Sequence, residues 1–267
     1  QGPEAELNDT ANTQPAIYVS AMALWVALAP RLQQALPRVA FVAGHSLGEF
    51  VALAVAGAFA FEDGLKLVRC RGEAMRDAGR VSPGGMAAII GLDDPALADV
   101  LAAANAGGAP GVWVANDNSP GQVVIAGQQA ALERAMGLAR EAKAKRVLPL
   151  AVSVACHTPL MGAAAERLDA ALRNTPFHKP WTPVVSNALA QPLDEPAAIQ
   201  VALMQQLTSP VRWVETIRKM AAMGITTVAE CGPGKVLAGL SKRCADNLAS
   251  VALADLVALE AAVANLE

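Results

Sequence analysis

Apolar and polar positions fall in blocks whose spacing switches between helical and strand-like along the chain. The first helical block runs from Gln14 to Leu36, with Asn12 or Thr13 as cap, Pro15 in a first turn and Pro37 closing it. Val39 to Ala43 is a short apolar run ending at Gly44, the pattern of a strand buried on both faces. A helical apolar stretch then continues past Ser46 and Glu49 to about Phe61, and a charged helix from Glu62 to about Ala78 stops at Gly79. Strand, sharp turn and helix in that order begin an α/β layer structure.

Residues 80–153 read differently. Met86 to Gly91 is strand-like and Asp93 to Ala104 helical; Val112 to Ala115 and Val123 to Ala126 are short strands about a turn from Asn116 to Gly121. Gln128 to Ala144 is helical again, and Arg146 to Val154 strand-like. This β-α-β-β-α-β order is the ferredoxin-like unit. The expected organisation is a small domain, 80–153, inserted into a large α/β domain made of 1–79 and 154–267. In the second part of the large domain the pattern predicts helices from Leu160 to Asn174, Pro196 to Leu207 and Val211 to Met223. Strands are expected at Pro183 to Ser186 and Thr226 to Glu230, followed by the stretch Lys235 to Ala245.

Of the 267 residues, 54% are hydrophobic and 17% charged, which excludes a disordered tail. Few aromatics leave the core to aliphatic side chains, as suits helices packed on a buried parallel sheet. A net charge of −3 gives no overall pull toward nucleic acid. The four cysteines show no metal-like spacing, which points to a reducing, cytoplasmic setting. The apolar run Phe50 to Phe61 is too short to cross a bilayer, so no membrane association is expected. The sequence opens at Gln1 in a polar segment, and a preceding piece is expected.

The sharpest chemical signal is Gly44-His45-Ser46-Leu47-Gly48, a G-x-S-x-G pentapeptide between strand and helix. In that context the serine hydroxyl sits on a tight turn as a nucleophile, and the Leu47 amide at the helix start can donate to an oxyanion. Ser46 with Glu49 also fits a capping box, which would make the serine structural. A nucleophile needs a base, and three histidines are available. His45 adjoins the serine on the turn, and His178 lies in a proline-rich loop. His157 follows an apolar strand where the small domain rejoins the large one, a position suited to a base at a cleft. Arg71 has a guanidinium fork able to grip a carboxylate, although an exposed helical arginine is the simpler reading of the residue alone.

Six motifs stand in order: Gly44 to Glu49, Arg71-Gly72 near Met75, Asn116 to Gly127, His157 to Met161, Ser209 to Trp213, and Gly232 to Leu237. Together they resemble the bacterial malonyl-CoA:acyl carrier protein transacylases of fatty-acid synthesis over nearly the whole chain. The resemblance implies an α/β-hydrolase-like large domain with a ferredoxin-like insert. It implies Ser46 as acyl carrier, His157 as base, and Arg71 as the ligand of the malonyl carboxylate. The His157 ring would be oriented by a main-chain carbonyl, that of Arg212, and His45, Asn116 and Asn118 would lie on the substrate side. A turn-forming role explains both asparagines equally well. Malonyl-CoA and acyl carrier protein are the implied partners of a monomer needing no metal or redox cofactor. Lys235, Lys242 and Arg243, or Lys145 and Arg146, are candidates for a basic patch facing the acidic carrier, though each also reads as a solvated charge.

Two departures qualify this picture. The family's opening strand and Gly-Gln-Gly-Ser-Gln loop precede the point where this sequence begins, so Leu47 is the one matched oxyanion donor; losing one donor costs about 10²–10³ in rate. A fragment of a longer enzyme is therefore expected. Cys156 stands before His157 where malonyl-selective members usually carry serine, which leaves strictness for malonate open. The rival readings are a serine hydrolase or thioesterase, and an inactive truncated acyltransferase domain.

Overall fold

The computed structural model describes residues 2–33, 36–108 and 111–253. Residues 34–35 of the first expected helix, and 254–267 of the expected large domain, lie outside the described residues.

Helices α1 (Glu4–Leu7) and α2 (Thr10–Leu28) begin a turn earlier than the apolar spacing suggests. The reason is Asp9, whose carboxylate accepts the Ala11 N–H at 2.8 Å and caps α2. Pro15 thus falls inside the helix and supplies no N–H to the Ala11 carbonyl, which accepts from Arg69 Nη1 at 3.1 Å instead. The first strand, β1, spans only Val42–Ala43 and is half-buried rather than covered on both faces. Helix α3 (Leu47–Val55) is buried at Leu47 and from Glu49 to Leu53, and α4 (Phe61–Val81) runs beyond the expected stop at Gly79.

The middle of the chain forms β2 (Gly84–Ile90), α5 (Asp94–Ala104), β3 (Val112–Ser119), β4 (Gln122–Gln128), α6 (Gln129–Glu141) and β5 (Arg146–Pro149). Asp93 caps α5 by accepting the Ala96 N–H at 2.9 Å. Strands β3 and β4 absorb most of the segment expected to be a turn, leaving Pro120 and Gly121 between them, with Gly121 at φ 70°. Asn116 and Asn118 are therefore strand residues, and the turn-forming reading does not hold for them.

The last part contributes α7 (Gly162–Arg173), β6 (Val184–Val185), β7 (Pro192–Leu193), α8 (Pro196–Gln206), β8 (Val211–Arg212), α9 (Trp213–Ala222), β9 (Thr227–Glu230), α10 (Val236–Cys244) and β10 (Ala249–Ala252). β1 pairs in parallel with β6, and β9 with β10. The five-stranded sheet has the order β5-β2-β4-β3-β8. Its first four strands pair antiparallel, and β8 joins β3 in parallel with Asn116 opposite Val211. The middle segment therefore does not close its sheet alone; a strand from beyond residue 200 completes the edge. This is a mixed α/β fold.

Burial explains how the layers meet. Leu53, Leu67, Val68, Leu168 and Leu203 join α3, α4, α7 and α8 in one apolar core. Ala87, Ile89, Ile125 and Leu132 seal one face of the five-stranded sheet beneath α5 and α6. On the opposite face Met86, Ala88, Val124 and Ala126 pack on Ala155. That contact fixes the segment two residues before His157 against the sheet.

Candidate active site

Ser46 stands between β1 and α3 at φ 53° and ψ −108°. A non-glycine residue held in so sparse a region stores about 1–3 kcal/mol of strain. The turn is this tight because Gly44 has no side chain: a Cβ there would lie 2.0 Å from the Gly48 carbonyl carbon. Gly48 has open space about it, so packing demands only the first of the two glycines. Ser46 Oγ makes no capping bond to α3, and the capping-box reading falls with it.

The Ser46 hydroxyl instead lies 2.8 Å from His157 Nε2. His157 Nδ1 faces the Gln206 carbonyl at 2.8 Å. A carbonyl can only accept, so the ring proton sits on Nδ1 and Nε2 is left to accept from Ser46. Burial, and after it the Arg71 charge, pull the His157 pKa down to about 3, which keeps the imidazole neutral as a base must be.

The orienting carbonyl is a correction to the sequence reading, which named Arg212. Gln206 closes α8, where a helix leaves its last carbonyls without partners inside the helix, and that free acceptor meets the histidine. Six residues further on, Arg212 is paired to Asp117 within the five-stranded sheet, and its guanidinium donates to Glu215, one bond measuring 2.8 Å.

Arg71 is fully buried on α4, not the exposed helical cation that the residue suggests alone. Nη1 donates to Gln14 Oε1 at 2.7 Å, and Nη2 donates to Gln206 Oε1 and to Ser46 Oγ, each at 3.0 Å. The guanidinium carbon lies 5.6 Å from the centre of the Phe50 ring. Burial lowers its pKa to about 10, still charged at neutral pH. Its Nε–H is buried with no acceptor among the described residues.

Leu47 opens α3, and a first helical N–H has no acceptor inside its own helix. His45 points away from Ser46: its Nε2 donates to Asn118 Oδ1 at 2.8 Å, and its ring lies 5.6 Å from that of Trp213. Asn118 therefore ties β3 to the turn, and Asn116 is buried beside it in the strand. His178 is exposed and apart from these groups. Burial raises the Cys156 thiol to about 11, so it is protonated at neutral pH and no rival nucleophile.

Four polar residues complete the arrangement: Gln14, Asn187 and Gln206, to which sequence reasoning gave no role at the site, and Glu49, which it read only as a capping-box partner of Ser46. All are buried. Gln206 Nε2 donates to the Ser46 carbonyl at 3.0 Å and to Glu49 Oε2 at 2.7 Å. Glu49 Oε2 also accepts the Asn187 N–H at 3.1 Å. Burial raises the Glu49 pKa to about 7 against these hydrogen bonds. Glu49 alone carries a hint in the sequence, a carboxylate standing inside an otherwise apolar helical stretch.

A model of the acyl transferase domain matches residues 1–262. The malonyl CoA-acyl carrier protein transacylase of Haemophilus influenzae is 46% identical over 261 residues, covering 98% of this chain and 82% of the relative. The acyl-carrier-protein S-malonyltransferase structure from Burkholderia pseudomallei matches with a TM-score of 0.92 at 46% identity, covering 99% of this chain and 84% of that one. A malonyl-transacylase solved in complex with a type II PKS acyl-carrier protein matches with a TM-score of 0.91 at 41% identity, covering 99% and 84%.

Proposed function

The chain belongs to the acyl transferase domain family, and from that premise we propose that it carries malonyl from malonyl-CoA to the phosphopantetheine thiol of an acyl carrier protein through an ester on Ser46. His157 Nε2 takes the Ser46 proton as Oγ attacks the thioester carbon. The tetrahedral oxyanion receives the Leu47 N–H. Collapse expels CoA, which leaves as the thiol with the proton from His157. The carrier's thiol then gives its proton to His157 and attacks the malonyl ester, and His157 returns a proton to Ser46.

The observation that carries this reading is Arg71: a buried cation touching the nucleophile, with one donor left unpartnered among the described residues. Such a group suits an acyl chain ending in a carboxylate, which can take up two parallel N–H donors. A hydrolase would pair His157 with an acid; here a neutral carbonyl orients the ring.

The family resemblance also supports an α/β-hydrolase-like large domain, 1–79 with 154–267, carrying a ferredoxin-like insert at 80–153. The parallel β1–β6 pair leading into the Ser46 turn agrees with the first, and the order β5-β2-β4-β3 with the second. For the carrier protein we assign one basic rim. Arg146, Ile90 and Gln122 lie side by side on three strands, and Arg243 donates to Gln122 Oε1 at 2.6 Å. Arg146 of one candidate cluster and Arg243 of the other, that of Lys235, Lys242 and Arg243, thus meet at one end of the sheet, and all five basic residues are exposed. Cytoplasmic location and a monomeric state belong to the same proposal.

Intact-mass analysis after mixing with malonyl-CoA tests the assignment. The expected result is one malonyl adduct, absent in Ser46→Ala and discharged by holo acyl carrier protein. Rapid loss of the adduct without carrier would make the chain a hydrolase, and no adduct on a folded sample would make it inert.

A further inference from the structure

The Ser46 N–H does not face the reacting side of the turn. It donates to Asn187 Oδ1 at 2.6 Å, while Asn187 Nδ2 donates to the Gly44 carbonyl at 2.7 Å. One side-chain amide therefore brackets His45, binding the carbonyl before it and the N–H after it. A neighbouring β-strand makes that pair of bonds with its main chain. Here the main-chain ladder stops at Ala43 opposite Val185, and Asn187 follows two residues later on the same side. Its amide continues the ladder into a turn that no regular strand could follow, because Ser46 sits at φ 53°.

Asn187 is itself held. Its N–H donates to Glu49 Oε2 at 3.1 Å, and its carbonyl accepts the Arg212 N–H at 3.0 Å. Asn187 has no exposed surface and Glu49 almost none, so solvent does not compete for these bonds. Glu49 lies on α3, the helix that the nucleophile turn leads into, so the brace closes on the element it supports.

We propose that Asn187, anchored by Glu49, is a positioning residue for Ser46: its amide holds the nucleophile turn at positive φ and occupies the Ser46 N–H, leaving the Leu47 N–H to meet the oxyanion. This inference rests on the acyl-transfer reading for its chemistry. Arg71 donates to Gln14, Gln206 and Ser46 rather than to Asn187, and the brace reaches it only through Glu49 and Gln206.

The test compares Asn187→Ala and the same-sized Asn187→Asp with the parent chain, using whichever variants melt cooperatively by circular dichroism. Two reagents are used. Malonyl-CoA reads the whole reaction. A phosphonofluoridate esterifies an activated serine with loss of fluoride, the serine proton passing to His157, and offers Arg71 no carboxylate. Misplacing a reacting group by about 1 Å costs about 10²-fold, so both labelling rates are expected to fall by about that factor. The KM for malonyl-CoA is expected to stay near that of the parent. Parental phosphonylation rates in a folded Asn187 variant would overturn the proposal.

The Glu49 arm tests the anchor, which holds Gln206 as well as Asn187 and is therefore read together with the Asn187 variants. Glu49→Gln retains an oxygen at the position that accepts both bonds, and Glu49→Leu does not. The proposal requires near-parental phosphonylation in the first and a fall in the second; equal rates in the two would overturn it. Should the parent form no malonyl adduct yet react with the phosphonofluoridate, the acyl-transfer reading fails while the role of Asn187 is still measured.

Discussion

Arg71 Nη2 lies 3.0 Å from Ser46 Oγ, so the buried cation and the nucleophile are in contact before any substrate arrives. The same guanidinium is held by two glutamine side chains and is desolvated on every side. Its position is therefore set by the fold, and an arriving carboxylate meets a fork already aimed.

The first prediction concerns that fork. Arg71→Ala is expected to slow acylation by malonyl-CoA about 10²-fold or more, because each hydrogen bond to a charged group contributes about 1.5–3 kcal/mol. Acetyl-CoA, whose acyl group has no free carboxylate, should lose far less. Quenched-flow mass analysis of Ser46 acylation with both donors measures the difference. An equal loss for the two removes Arg71 from its assigned role.

The second concerns pH. The base is the neutral imidazole of His157, and burial together with the Arg71 charge disfavours the protonated form. The acid limb of kcat/KM for malonyl-CoA should therefore lie well below the ordinary histidine value of 6.5, toward about 3. Arg71→Ala removes one of the depressing influences, so its limb should move upward. A parental limb at 6.5 or higher, recorded where the fold is intact, contradicts the buried base.

The third separates the two glycines of the pentapeptide. Gly44→Ala would put a methyl group 2.0 Å from the Gly48 backbone, whereas Gly48→Ala meets nothing within 4 Å. Overpacking against main chain costs about 1–3 kcal/mol or more, so Gly44→Ala should lower Tm clearly and abolish the adduct. Gly48→Ala, within α3, should leave Tm unchanged or raise it, by up to about 1 kcal/mol in stability. Thermal melts of both variants check this, and equal Tm changes would contradict the steric account.

Local rules read the chain well wherever a feature belongs to one stretch of it. The strand–turn–helix around Ser46 was legible because a glycine, a short apolar run and a helix start fall side by side. The first long helix starts a few residues before the expected caps, Asn12 or Thr13, because Asp9, unremarkable in the pattern, accepts the Ala11 N–H and caps it. The turn drawn from Asn116 to Gly121 was too long, since cross-strand pairing with β4 overrides the turn preference of asparagine.

The sequence by itself determined the nucleophile turn, the alternation of helices and strands, and, through the order of its motifs, the family. Only the tertiary structure decided who surrounds the nucleophile. Gln14 lies 32 residues before Ser46 and Asn187 and Gln206 lie up to 160 after it, with nothing in their neighbourhoods to mark them, while Glu49 stands within the nucleophile motif itself. Their roles arise because buried amides, carboxylates and carbonyls must find partners once water is excluded. Gln206 rather than Arg212 orients His157 for that reason: the end of α8 delivers a free carbonyl to the ring, while Arg212 stands opposite Asp117 in the five-stranded sheet.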